Sequence, residues 1–285
     1  MTRLAPHHYA MLHDESGIAD EVIAVRGYRT ITDAAELRGL GFAPAQCRPP
    51  GLLLPLWTTD GDTRYEIRDT SEEASKLISR PSHFVFRPDN PRVFDEKSRG
   101  KLPDGTYRQR VIKYEMPKGE GVRVDCPPTC RPQLTDPSVP LFITEGQKKA
   151  DALASRGACA VALLGVWNVK GRNDFGGTTL LADFDYIAFE NRTVYLVFDS
   201  DVMSKSGVRV ALERLTEHLK RKGAAVHVIY LPSGLISEDD RRQTTDHGKT
   251  ADRSRATGAA LSSVVRGPSK TGVDDWLVAT GKGIA

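Results

Sequence analysis

The sequence predicts an α/β protein built on a parallel sheet flanked by helices, with a smaller α+β lobe ahead of it. Two observations carry this. From about residue 137, short apolar runs alternate with helical patterns, which is the rhythm of parallel strands covered on both faces. Before that point the chain is richer in Pro, Gly and Arg and breaks into short elements. We therefore divide it into a basic α+β lobe, residues 1–136, and an α/β domain, residues 137–285. At 285 residues and 39% hydrophobic composition, the chain has material for one large core or two smaller ones.

In the first lobe, "GIADEVIAVRGYRTI" reads as a short helix and turn, and "DAAELRGLGF" as a helix closed by glycine. "GLLLPLWTTDGDTRYEIR" reads as two strands joined at "DGD", an aspartate-glycine hairpin signal. "RQRVIKYEMPKGEGVRVDCPP" supplies one or two more strands. In the second domain, "PLFITE" is a strand, "GQKKADALASRG" a helix and "ACAVALLG" a strand. "RTVYLVFDSD" follows as a strand, "SGVRVALERLTEHLKRKG" as an amphipathic helix and "AAVHVIYLP" as a strand. Val208, Ala211, Leu212, Leu215 and Leu219 fall on one face of that helix. The polar run between Pro232 and Val273 has no period and reads as a surface insertion near 233–269. "KTGVDDWL" opens a last helix.

Several function classes drop out. No run of about 18 apolar residues exists to span a membrane. The N-terminal segment lacks the apolar core of a signal peptide, so the expected compartment is the cytoplasm. "DHGKT" is no phosphate loop, because Gln243 stands where that pattern needs its first glycine. Of four cysteines only Cys126 and Cys130 lie close, in "CPPTC". A structural zinc site needs two such pairs, or one pair and two spaced histidines. His7, His8 and His13 lie far off in sequence, so the pair reads as reduced thiols. The net charge of +3 is too mild to identify a partner.

Charge is more informative where it clusters. Glu145 ends the first strand of the α/β domain, and Asp199 and Asp201 end the third. Ligands of open α/β sheets bind beyond such carboxyl ends. Residues i and i+2 of an extended segment point the same way, so both aspartates face one place. One acidic strand end is usually a cap or a solvated loop residue. Two in one α/β unit, on neighbouring strands, converge and repel unless a cation offsets them. Hard oxygen donors with open water positions suit Mg²⁺, and Mg²⁺ suits phosphates. Asp274 and Asp275 are acidic residues at a third terminus, where helix capping is the simpler reading. Between residues 87 and 118, basic residues including Arg87, Arg92 and Lys113 alternate with Phe84, Phe86, Tyr107 and Tyr114 along the run and just before it. That pattern holds single strands by charge and stacking.

"FITEGQKKADAL" followed by "VYLVFDSD" resembles the Toprim domain of bacterial-type primases, topoisomerases and some nucleases. "YLP…KTGVDDWL" resembles the primase segment in which an acidic pair follows the fourth strand. Together with "ALLGVWN", these motifs are similar in kind and order to a Toprim-like family of phage, plasmid and integrative-element replication proteins, over residues 137–281. The segment "GLLLPLWTTDGDTRYEIR…FRPDNPR…VIKYEMPKG" resembles the lobe preceding Toprim in the bacterial primase catalytic core.

The resemblance implies a Toprim-like sheet with Mg²⁺ or Mn²⁺ held by the catalytic set Glu145, Asp199 and Asp201, and Asp274 and Asp275 as additional acidic residues. It implies that Arg87, Arg92 and Lys113 contact template or nucleotide phosphates, with Lys148 and Lys149 neutralising phosphate charge. The implied activity is Mg²⁺-dependent phosphoryl transfer, primase-like nucleotidyl transfer in replication of a mobile element. Single-stranded DNA and nucleotides are the implied partners, with a replicative helicase or polymerase beside them. A Toprim nuclease and a non-catalytic single-strand-binding accessory are the alternatives. The sequence departs from the primase pattern at Lys149, where an acidic residue is expected, and contains no zinc-ribbon pattern and no helicase motif.

Overall fold

The computed structural model describes residues 4–60, 81, 83–165, 168–172, 178–200, 206–232 and 271–281. The polar insertion near 233–269, the "RYEIR" half of the expected hairpin and Asp201 lie outside the described residues.

The molecule is organised around a five-stranded sheet. Its strands are β6 (Val124–Asp125), β7 (Leu141–Glu145), β8 (Cys159–Leu163), β11 (Thr193–Val197) and β12 (Ala225–Ile229), in the order β12-β11-β7-β8-β6. The four later strands are parallel, and β6 joins β8 antiparallel as an edge. Helix α4 (Gln147–Ala154) connects β7 to β8, and α5 (Ser206–Arg221) connects β11 to β12. This is the α/β architecture the alternating pattern predicts, and the first and third parallel strands are neighbours. Leu141, Ile143 and Thr144 of β7 and every residue of β8 are buried. These interior strands therefore read as continuous apolar runs rather than alternating ones. Phe142, Tyr195 and His227 stack across β7, β11 and β12 with ring centroids 5.0 and 5.5 Å apart.

The chain ahead of this sheet begins with α1 (Pro6–His13), α2 (Asp20–Arg26), β1 (Arg29–Ile31) and α3 (Ala34–Gly39). Strands β2 (Gly51–Leu56) and β3 (His83–Pro88) join β1 in an antiparallel sheet of order β1-β2-β3. "GLLLPL" thus lies between β1 and β3, where the hairpin reading expected "RYEIR" as its neighbour. Every residue of β2 is buried. Leu52 and Leu54 face the main core, while Leu53 faces a smaller one with Ile31, Leu37, Phe42 and Phe86. A strand covered on both faces loses its polar alternation, which is why the run is unbroken. The main core runs without interruption from Leu12 and Ile18 through Val85 to the five-stranded sheet. A separate hairpin pairs β4 (Arg92–Asp95) with β5 (Gln109–Ile112). A second pairs β9 (Lys170–Arg172) with β10 (Thr178–Leu180), and α6 (Val273–Thr280) packs against α4. Cys126 and Cys130 are buried free thiols. No helix among the described residues is long and apolar enough to cross a membrane.

A candidate metal and phosphate site

The parallel strands deliver acidic residues to one end of the sheet. Glu145 is the last residue of β7, half-buried and registered against Leu163 of β8. Val197, the last residue of β11, pairs with Thr144, so Asp199 emerges on the same side as Glu145. Gly146 turns the chain from β7 into α4 with φ +92°, a conformation in the left-handed range that a side chain would strain. Its N–H donates to the Leu163 carbonyl at 2.9 Å, tying the turn to β8.

The third acidic group arrives from the far end of the chain. The Ser200 N–H donates to the Thr271 carbonyl at 3.0 Å, and the Thr271 N–H donates to Ser200 Oγ at 2.9 Å. This reciprocal pair clamps the start of α6 to the exit of β11. Asp275 is in the first turn of α6, and its carboxylate accepts the Gly272 N–H at 2.8 Å, so it is a helix cap. Asp274, one residue before it, is buried. Its Oδ1 meets no hydrogen-bond donor among the described residues. Burial pushes its carboxyl above the usual aspartate range, opposed by Lys149 and Lys148 and reinforced by Asp275 and Asp199.

Gly272 shows how close these groups stand. A β-carbon there would lie 2.5 Å from Asp274 Oδ1, 2.6 Å from Lys149 Cε and 3.2 Å from Asp199 Oδ1. Lys149 Nζ lies 2.5 Å from Asp199 Oδ1. Its neighbour Lys148 donates to Ser16 Oγ at 2.9 Å, which in turn donates to the Met11 carbonyl at 2.9 Å. The first turn of α4 therefore carries one ammonium into the acidic group and another toward α1.

All of this opens into a cavity of about 620 Å³. Glu145, Asp199, Asp274 and Asp275 line it together with Lys148 and Lys149, and Arg87 of β3 and Lys113 just past β5 reach it as well. Tyr114, Met116 and Leu54 supply its apolar wall. Arg87 Nη1 also lies 3.0 Å from Met11 Sδ. Arg92 stands apart from this lining. Its guanidinium donates to both oxygens of the buried Glu115 carboxylate at 2.5 and 2.7 Å and covers the Phe94 ring at 4.9 Å. The fold gives Arg92 a holding role on β4, which the density of basic residues in the sequence does not reveal. Gly272, Gln147 and Ser16 are site residues the sequence reading missed. A glycine two positions ahead of an acidic pair, with Val273 between them, is the one signal that pointed to the first.

The donor set fits a hard divalent cation. Asp199 and Asp274 bring carboxylate oxygens together over a glycine that leaves the space open, one of them on a buried group with an unmet acceptor. Glu145 lines the same cavity without closing a three-donor group with them among the described residues.

Residues 133–240 match a family described as a domain of unknown function, DUF3854. An uncharacterised protein of Picosynechococcus sp. is 31% identical over 174 residues, which is 56% of this chain and 16% of that protein. Among solved structures, the zinc-binding and RNA polymerase domains of the Aquifex aeolicus primase overlay with a TM-score of 0.48 and 13% identity. That overlay covers 86% of this chain and 56% of the other. The DnaG catalytic core gives 0.47 and 15%, over 84% and 69% of the two chains. The DnaG primase catalytic domain bound to single-stranded DNA gives 0.44 and 16%, over 86% and 72%.

Proposed function

We propose that this protein transfers phosphoryl groups on nucleic acid with a divalent metal, as a primase-like nucleotidyltransferase. The observation that carries the reading is the shared cavity. Carboxylates at the carboxyl end of parallel strands face, across one cleft, a set of cations from both parts of the chain. The Toprim-like motifs that supply Glu145 and Asp199 support it.

Glu145, Asp199 and Asp274 would hold Mg²⁺ or Mn²⁺, with Asp201 as a further ligand on the sequence argument alone. Held there, a divalent ion would offset charge on phosphoryl oxygens and lower the barrier to displacement of the leaving group at phosphorus. The chain's own groups do the remainder. Arg87 and Lys113 bind strand or nucleotide phosphates, and the Tyr114 ring offers a face for a base. Lys148 lies within reach of phosphate oxygens entering beside α4. Glu145, the least buried of these strand-end carboxylates, accepts a proton from an attacking hydroxyl, directly or through water. The setting we assign is replication of a mobile element, beside a helicase or polymerase that opens or extends the template.

A second reading, a single-strand-binding accessory without turnover, is favoured by the Lys149 ammonium at Asp199. One experiment separates the two. Labelled nucleotides are supplied on single-stranded DNA with Mg²⁺ or Mn²⁺, and template-dependent product is measured for the natural protein and for Asp199→Asn. The substitution keeps the size and most hydrogen bonding of the side chain but removes the charge. We expect loss of about 100-fold or more in turnover, with circular dichroism and strand binding retained. Activity that survives Asp199→Asn places the chemistry elsewhere. A natural protein that neither starts, extends nor cleaves a strand is the accessory.

A further inference from the structure

We propose a second metal site, remote in donor chemistry from the acidic cavity: His7, His8 and Asp89 hold a zinc-class divalent ion between α1 and the end of β3. The sequence sets two adjacent imidazoles in the first turn of α1, behind Pro6, and an aspartate one residue past β3. Folding brings one ring nitrogen of each histidine and one carboxylate oxygen within 4.8 Å of one another. His7 Nε2 is 3.1 Å from Asp89 Oδ2, and His8 Nε2 is 2.9 Å from Asp89 Oδ1. Zinc bonds of about 2.0–2.1 Å in a tetrahedron set donors roughly 3.3 Å apart, so the two histidine–aspartate contacts already stand near that spacing and an edge as long as 4.8 Å would have to draw in on binding. Two imidazoles and a carboxylate form the mixed nitrogen and oxygen set that zinc takes, not the all-oxygen set of magnesium.

The far side of His8 is prepared for a ligand role. Its Nδ1 lies 2.7 Å from Thr30 Oγ1, which already accepts the Ala5 N–H at 2.8 Å. Two proton arrangements satisfy that contact. In one, the Thr30 hydroxyl donates to Nδ1 and the Nε2–H donates to Asp89. In the other, the Nδ1–H donates to Thr30 and the Nε2 lone pair faces the carboxylate, two acceptors that need a cation between them. An ion at Nε2 selects the second arrangement, with Thr30 orienting the ring from outside the ligand set. His8 is fully buried and cannot swing away, whereas the His7 and Asp89 side chains are 55% and 29% exposed. The ion thus has an entry path and an open position for water. Bound there, it staples α1 to β3 two residues from Arg87, whose own contact to Met11 spans the same two elements.

The test is zinc binding by the full chain with Mg²⁺ in excess to occupy the acidic cavity. Titration against a chromophoric chelator gives affinity, and X-ray absorption gives the donors. We expect one Zn²⁺ with nitrogen and oxygen neighbours at about 2.0–2.1 Å and no sulfur at about 2.3 Å, which excludes the buried cysteines. His7→Ala and Asp89→Asn should each weaken binding about tenfold or more, and Asp199→Asn should leave it unchanged. Both ligand variants alter partly exposed side chains, and the absorption spectrum of the unaltered protein stands whether or not they fold. No uptake, a sulfur-dominated shell, or affinity indifferent to both ligand variants would reduce the trio to hydrogen bonds and overturn the proposal.

Discussion

Lys149 Nζ stands 2.5 Å from Asp199 Oδ1, and Lys149 Cε packs over Gly272 beside the buried carboxylate of Asp274. One ammonium is therefore shared among several negative charges, and it occupies ground that a metal ion would claim. A unit charge at about 4 Å is worth roughly 1 kcal/mol in water and about 4 kcal/mol at an effective dielectric of 20. Lys149→Met keeps the stem and removes that charge. We expect Mn²⁺ to bind about tenfold tighter or more, read from the free Mn²⁺ signal by electron paramagnetic resonance. The same variant should melt lower than the natural protein in a chelator, because its carboxylates then repel without relief. Unchanged or weaker Mn²⁺ binding would show that Lys149 and the metal do not compete.

Between elements, geometry is set by junctions, and these differ in how far the sequence announces them. The β7–Gly146–α4 junction was legible. A buried parallel strand is an apolar run, its end is marked by Glu145, and the glycine supplies the turn. The β11 end with Asp199 was legible for the same reason, and so was the stripe of α5, whose Ala211, Leu212, Leu215 and Leu219 are buried. Helix α1 was not, because it buries only His8 and Leu12 and shows no apolar stripe. Strand β1 has three residues, too few for a period. The role of Arg92 hid because its partner Glu115 is buried by tertiary packing. The burial of Asp274 hid for a related reason: it follows from the clamp between Ser200 and Thr271, residues far apart in the chain. That junction makes a prediction. Gly272 has φ −92° and ψ 170°, which any residue adopts, so Gly272→Ala acts through space alone. Its methyl would displace the Asp274 carboxylate and the Lys149 stem. We expect near-natural circular dichroism, a stability loss of about 1–3 kcal/mol from overpacking, and Mn²⁺ affinity reduced about tenfold. Affinity equal to that of the natural protein would remove Asp274 from the site.

Across the whole molecule, the N-terminal segments and the five-stranded sheet meet in a buried charge network that also fixes α4. Arg26, at the end of α2, donates to Asp125 of β6 at 2.6 and 2.9 Å and to Asp151 of α4 at 2.6, 3.0 and 3.1 Å. The Tyr28 hydroxyl also donates to Asp151, and the Trp57 N–H donates to Asp125 at 3.1 Å. The side chains of Arg26, Asp125 and Asp151 are fully buried. Two carboxylates hold the guanidinium in its charged form, well above its ordinary range despite burial. Burial also pushes the Asp151 carboxyl up, and Arg26 is the main force holding it down. Arg26→Met strands both carboxylates in the interior and should cost about 3–5 kcal/mol at neutral pH, measured by urea unfolding. The pH dependence has a definite sign. With Arg26 gone, the folded variant takes up protons at a pH where the unfolded chain, with aspartates near about 3.9, has already released them. Its stability therefore rises as pH falls through that raised range, and the gap to the natural protein should narrow between neutral pH and pH of about 5. Mn²⁺ affinity should fall with the same substitution, since Asp151 shares α4 with Lys148 and Lys149 and the helix would lose its anchor. A gap of constant size across that pH range would mean the abandoned carboxylates stay ionised, and the network would then be a solvated seam rather than the closed joint between α2, α4 and β6.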